Sequence, residues 1–269
     1  MIVSARAFWA PKAGNRADEY EDAFWPLHAV TRPARRSGKQ PAKNPPRRSA
    51  GPQDTRLRFA VADGATETSF AGLWARRLVR AYGEGCFSGA DWDTWLDQLQ
   101  REQAAWYGEV LQKPLPWYAE DKVREGAYAA LLGLEVTAAG EWGGVAVGDC
   151  CLLQWRGDEL AAAFPAQDAA FFTSRPYLLS SNTARNEGLE DQVQRAVGQW
   201  LPGDRFALLS DALGQWALRG LEAGDPPWPA LVAVEKAGQQ RAFHRWVEDL
   251  RASGSLRNDD VTALLITLS

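Results

Sequence analysis

RFALLSD, residues 205–211, and DDVTALLITL, residues 259–268, are short apolar runs with a carboxylate at one end. Three more segments have the same form. Glu21-Asp22 opens EDAFW (21–25), Asp63-Gly64 closes LRFAVADG (57–64), and Gly148-Asp149 joins GVAV (144–147) to CCLL (150–153). Each short apolar run is a strand candidate, which puts each acidic cluster at a strand mouth. Carboxylates at strand ends converge in space although they lie far apart in sequence. Gathered together they repel strongly unless cations sit among them. The pattern therefore predicts a site for hard divalent cations, and such ions serve phosphoryl chemistry.

Working outward, residues 2–9 and 20–30 read as strands, with Glu21 and Asp22 on opposite faces of the second. Residues 68–82 place Phe70, Leu73, Trp74, Leu78 and Tyr82 on one helical face. A second helix begins after Asp91 or Ser88 as its cap, burying Trp92, Trp95, Leu96, Leu99 and Trp106. Residues 119–128 are helical. Strands follow at 129–136, 142–148 and 150–155, then a hairpin at WRGDEL, then an irregular polar stretch, 165–188. A helix is expected at 190–200, a strand at 205–209, helices near 228–236 and 239–252, and a closing strand at 261–268. Strands and helices come in blocks rather than in βαβ alternation. The expected fold is α+β: a single domain over 1–269, a sandwich of two mostly antiparallel β-sheets flanked by α-helices.

Residues 31–58 stand apart. They hold nine Lys or Arg against one Asp, with prolines at 33, 41, 45, 46 and 52. That is a charge of +8, so the rest of the chain carries −12 within the total of −4. Residues from about 31 to 56 read as a basic, Pro-rich insertion in a hairpin, either a solvated loop tip or a docking patch for an acidic or phosphorylated partner. No aromatic residues interleave these charges, which disfavours nucleic acid.

Composition narrows the chemistry. Two histidines, His28 and His244, argue against a His-rich zinc site and a Ser-His-Asp triad. Three cysteines, of which Cys150 and Cys151 are adjacent, form no disulfide framework, and a reduced, cytoplasmic location is expected. No apolar run is long enough to span a membrane. Neither GxxxxGK[ST] nor GxGxxG occurs, which disfavours nucleotide binding. Most of the thirteen tryptophans fall at core spacings.

Taken in order, EDA, ADGA, VGDCCLL, LLSDAL and DDVTALLI resemble the motifs of the metal-dependent protein phosphatase family (type 2C), and the Asp259-Asp260 pair resembles its bacterial members. The resemblance runs from about residue 15 to 268. It implies a serine/threonine phosphatase with two, or with a third weaker site three, Mn²⁺ or Mg²⁺ ions, and hydrolysis by a metal-activated water rather than through a phosphoenzyme. Carried over by position, Asp63 bridges two ions, Asp22 and the Gly64 carbonyl hold one, Asp211 and Asp259 hold the other, Glu21 sits in the water shell, and Asp149 serves a third ion. The implied partners are a phosphorylated protein and a cognate serine/threonine kinase, with the protein a monomer and no nucleic acid or membrane involved.

This chain also departs from the family pattern. Ala65 stands where eukaryotic members have histidine, leaving Thr66, Glu67 or a water to take its place. Ala212 replaces the glycine of SDG. The phosphate-gripping arginine a few residues before the Glu of ED is missing from its usual spacing, so Lys12 and Arg16 are the candidates, on the loop PKAGNR. Residues 165–188 fall where the family carries a variable flap, which assigns them to substrate choice. Two other readings remain: a pseudophosphatase that binds phosphoproteins without turnover, and a phosphatase for a small phosphorylated molecule.

Overall fold

Alternation along the inner strands sets the architecture. In a computed structural model, which describes residues 1–26, 56–66, 68, 70–89, 91–112, 117–173 and 175–269, the strands assemble into two sheets. The first has the order β1 (Val3–Ala10), β11 (Val261–Leu268), β10 (Arg205–Leu209), β6 (Cys151–Arg156), β7 (Glu159–Phe164). The second has the order β2 (Ala23–Trp25), β3 (Arg56–Gly64), β4 (Tyr128–Thr137), β5 (Glu141–Val147), β9 (Gln194–Gln199), with the short β8 (Leu179–Ser180) beside β4. Every pairing is antiparallel.

The period of two sends successive residues into different layers. Phe59 and Val61 of β3, Leu132 and Leu134 of β4, Phe206 and Leu208 of β10, and Leu264 and Ile266 of β11 meet between the sheets. Their neighbours point outward. Ala60, Ala62 and Leu131 pack under α1 (Ala71–Gly83) and α2 (Trp92–Val110). Ala207, Leu209, Ala263 and Leu265 pack under α5 (Asp211–Glu222), α6 (Trp228–Ala237) and α7 (Gln240–Ala252). The result is four layers, helix–sheet–sheet–helix, and the expected α+β sandwich.

The helical face of α1 buries Trp74, Leu78 and Tyr82. Phe70 precedes the helix with a left-handed φ of 64° and is exposed. Asp91 caps α2, its side chain accepting the Thr94 amide at 2.9 Å, and Trp95, Leu99 and Trp106 form the buried stripe. The described residues also include α3 (Trp117–Glu125) and α4 (Leu189–Gln192).

Besides the two-residue β8 inside the 165–188 stretch expected to be irregular, the order of elements differs from expectation in three places. The helix expected at 190–200 is only the single turn of α4, after which β9 runs along the edge of β5. Gly198 explains the preference for strand: a Cβ there would lie 2.5 Å from the indole of Trp142, so only glycine lets the strand seat against that ring. Helix α5 is a gain. Gly214 and Gly220 obscure the amphipathic pattern in DALGQWALRGLE, yet Gly214 is where the Phe172 ring presses on the helix. Finally, Glu21 and Asp22 precede β2 rather than lying on it. His28, Glu67 and all of the basic insertion except Arg56 lie outside the described residues. Among the described residues no helix is long and apolar enough to cross a membrane.

Leu264, fully buried between the sheets, tests this packing. Leu264→Ala is expected to lower unfolding free energy by about 3 kcal/mol in urea denaturation, the usual cost of a buried cavity in a rigid core.

Candidate metal centre at the carboxylate end

Antiparallel register brings the acidic motifs to one end of the sandwich. Asp63 sits opposite Ala130 at the last turns of β3. Asp149 lies in the β5–β6 turn, Asp211 is the first residue of α5 directly after β10, and Asp259-Asp260 lead into β11. Gly148 makes the first of these turns possible: its φ of +93° is left-handed, and a Cβ would lie 2.6 Å from that of Ala130. At Gly64 a Cβ would meet the Glu21 carbonyl oxygen at 2.6 Å, so the absence of a side chain is what lets the Glu21 backbone close over the end of β3.

Asp63, Gly64, Asp149, Asp211 and Asp259 line one cavity of about 380 Å³, open to solvent. Arg257 lines it too, and Thr173, Pro176 and Leu178 of the 165–188 stretch complete its wall. Asp22 does not line the cavity and is only 2% exposed, beside Thr262 at the start of β11. Its Oδ2 accepts the Thr262 hydroxyl at 2.7 Å, the Tyr20 hydroxyl donates to Thr262 in turn, and Asp22 Oδ1 has no hydrogen-bond partner. Glu21 lines an adjoining pocket that shares Thr66 with the main cavity.

Asp260 is a structural tie. Its two oxygens accept the backbone amides of Lys12 and Glu21, each at 2.7 Å, fastening the loop after β1 and the segment before β2 to the start of β11. Lys12 contributes that amide, and neither its side chain nor that of Arg16 lines the cavity. Arg16 is spread on the surface in a bidentate pair with Asp18.

The electrostatics agree with a site built for cations. Burial first, and then the neighbouring Asp149 and Asp259, raise the Asp63 carboxyl well above the usual range, against the pull of Arg257. Burial and Asp63 raise Asp22, while the Thr262 and Ser210 hydroxyls oppose the rise. Burial lifts Asp149 to about 6 against Arg257, and burial with Asp260 lifts Glu21 to about 7.

The donor chemistry fits a hard divalent ion: carboxylate oxygens throughout, with Asp22 Oδ1 and Asp211 Oδ1 buried and unpartnered. The side chains do not form a finished cage. Among the described residues no three carboxylate, thiol or imidazole groups are arranged to hold one ion. Between two of the carboxylates lies a guanidinium instead, since Arg257 contacts Asp211 Oδ2 and its Nε is 3.5 Å from Asp259 Oδ2. Sequence reading missed Arg257. Its only signal was an arginine two residues before the last acidic pair, on the same turn.

No protein-family model and no curated protein matches this chain. Solved structures do. The serine/threonine phosphatase PstP/Ppp of Mycobacterium tuberculosis superimposes with a TM-score of 0.57 at 16% identity, covering 100% of both chains. The catalytic domain of the serine threonine protein phosphatase PstP, crystallised with two manganese ions, gives 0.55 at 16% identity over 100% of this chain and 99% of that one. The photosystem II phosphatase PBCP gives 0.53 at 13% identity over 99% of each chain. The chain thus has the fold of type 2C serine/threonine phosphatases, the fold its motif order implied.

The raised carboxyls have a measurable consequence. Each binds its proton more tightly folded than unfolded, so stability falls as pH rises from ordinary carboxyl values of 3.8–4.5 through about 6 and about 7 for Asp149 and Glu21. In chelator the protein is expected to melt at higher temperature at about pH 5.5 than at about pH 8, and Asp63→Asn should narrow that gap by removing one repelled charge. Equal melting temperatures for the unaltered protein at both pH values would contradict the repulsion.

Proposed function

We propose that this protein is a metal-dependent phosphatase acting on phosphoserine and phosphothreonine in proteins. One observation carries the reading: Asp63, Asp149, Asp211 and Asp259, from four separate strand ends, line a single open cavity in a type 2C phosphatase fold.

In this reading Asp63 is the central ligand, Asp211 and Asp259 serve one side of it, and Asp22 with the Gly64 carbonyl serves the other. Asp149 stands ready for a third, weaker ion, and Glu21 belongs to the hydration shell reached through Thr66. Bound Mn²⁺ or Mg²⁺ supplies the positive charge that offsets a phosphoryl group and lowers the pKa of water. The two manganese ions in the PstP catalytic domain support that choice.

The chain's own residues supply the rest. The sheet ends fix the carboxylates, because each acidic residue adjoins a strand whose register is locked by core packing on both faces. The Thr262 hydroxyl orients Asp22, and the Ser210 hydroxyl accepts the Thr262 amide at 2.9 Å. Thr173, Pro176 and Leu178 form a wall of different character, mostly apolar and without regular strand pairing, suited to contacting the peptide around the phosphorylated residue.

Hydrolysis of p-nitrophenyl phosphate with Mn²⁺, with Mg²⁺ and with chelator tests the reaction. Activity should require the metal and should fall in Asp63→Asn by more than the roughly 10–100-fold that loss of an outer-shell partner costs. Mn²⁺ binding without turnover on either this substrate or a phosphopeptide would favour a phosphoprotein-binding module instead. Grafting another sequence onto residues 165–188 should change kcat/KM for phosphopeptides far more than for p-nitrophenyl phosphate. Equal effects on both would remove that segment from substrate choice.

A further inference from the structure

Arg257 is the one basic residue lining the carboxylate cavity among the described residues. Its position is not that of a loose surface arm. It sits on the turn between α7 and β11, and that turn is fastened on both sides of it. Leu256 is buried in the core beneath α5–α7. Asn258 accepts the Ala13 amide at 2.7 Å, and Asp260 takes the amides of Lys12 and Glu21. Arg251, reaching across from α7, donates to the carbonyls of Asp259 and Pro11. With its neighbours fixed, the Arg257 side chain is directed at Asp211 and Asp259.

The charge balance gives that contact its meaning. Four carboxylates line the cavity and one guanidinium answers them. Asp211 still presents a buried Oδ1 with no partner. A guanidinium binds two carboxylates through a planar fork of donors, and a divalent ion competes for the same oxygens with twice the charge. The Arg257 side chain is 37% exposed, so it has open space into which to move.

We propose that Arg257 is a built-in counter-cation of the site: its guanidinium holds Asp211 and Asp259 in the metal-free protein, a divalent ion entering at those two carboxylates displaces it, and the displaced guanidinium then grips the phosphate of the substrate. The proposal rests on the phosphatase reading above. It makes Arg257, rather than Lys12 or Arg16, the phosphate-binding cation, and it makes metal affinity a competition within the molecule. The fork geometry that suits a carboxylate pair suits phosphate oxygens equally, so one side chain serves both states.

Calorimetric titration of Mn²⁺ into the full chain, as the unaltered protein, Arg257→Ala and Arg257→Lys, tests the first half. Arg257→Ala should bind Mn²⁺ more tightly, on the order of tenfold, because it removes a charge-assisted competitor. Arg257→Lys, which keeps the charge without the fork, should fall between. A merely structural strap predicts the opposite, since damage to the turn weakens binding. In the Mn²⁺-loaded proteins, Arg257→Ala should raise both KM for a phosphopeptide and the inhibition constant for inorganic phosphate. Equal or weaker Mn²⁺ binding in Arg257→Ala, with the unaltered protein binding normally, overturns the counter-cation and leaves the phosphatase reading standing. Tighter Mn²⁺ binding with unchanged phosphate inhibition overturns the phosphate grip alone. No Mn²⁺ binding by any of the three proteins overturns the displacement and the phosphatase reading together.

Discussion

Repulsion among carboxylates at one end of a two-sheet sandwich is the constraint around which this molecule is organised. Left to themselves, Asp22, Asp63 and Asp149 would move apart or take up protons, and burial makes their mutual repulsion worse. What holds them is the rigidity of the layers behind. Leu264 and Ile266 on one face of β11, and Ala263 and Leu265 on the other, leave that strand no freedom to slip, because a shift of one residue would turn both apolar sets the wrong way. The site is therefore strained electrostatically and supported mechanically, and the hydroxyls of Thr262 and Ser210, with the guanidinium of Arg257, take up part of the strain locally.

What the sequence made legible follows from the same physics. Strands with both faces buried must alternate between two cores, so RFALL and VTALLITL could be recognised as strands and their carboxylates placed at a common end. Elements whose state depends on a partner elsewhere could not be read this way. QVQRAVGQ carries no strand signal strong enough to outweigh its helix-compatible residues, and only the open edge of β5 and the Trp142 ring over Gly198 decide it. DALGQWALRGLE hides a helix because its glycines look like breaks until the Phe172 ring is seen filling the space beside Gly214. In the site, carboxylates were legible through repetition at strand mouths. The cation was not, since a single arginine on a turn looks the same whether it faces water or faces Asp211 and Asp259.

The cavity has two kinds of wall. Strand ends and the first turn of α5 make one, and their geometry is tied into both cores. Thr173, Pro176 and Leu178, outside regular pairing, make the other. In this architecture the wall bearing the carboxylates is shielded from sequence drift by packing, whereas the other wall can change without disturbing either sheet.

The place of β11 has an outcome during synthesis. It lies inside its sheet, bonded to β1 on one side and β10 on the other, and it carries in Asp259 and Asp260 both a wall of the cavity and the clasp that ties down residues 12 and 21. Until residues 259–268 have left the ribosome, the earlier strand β1 lacks its partner β11 and the carboxylate cluster lacks Asp259. A nascent chain therefore cannot assemble this centre piecemeal, and the carboxylate cluster closes only once residues 259–268 have joined the strands made before them.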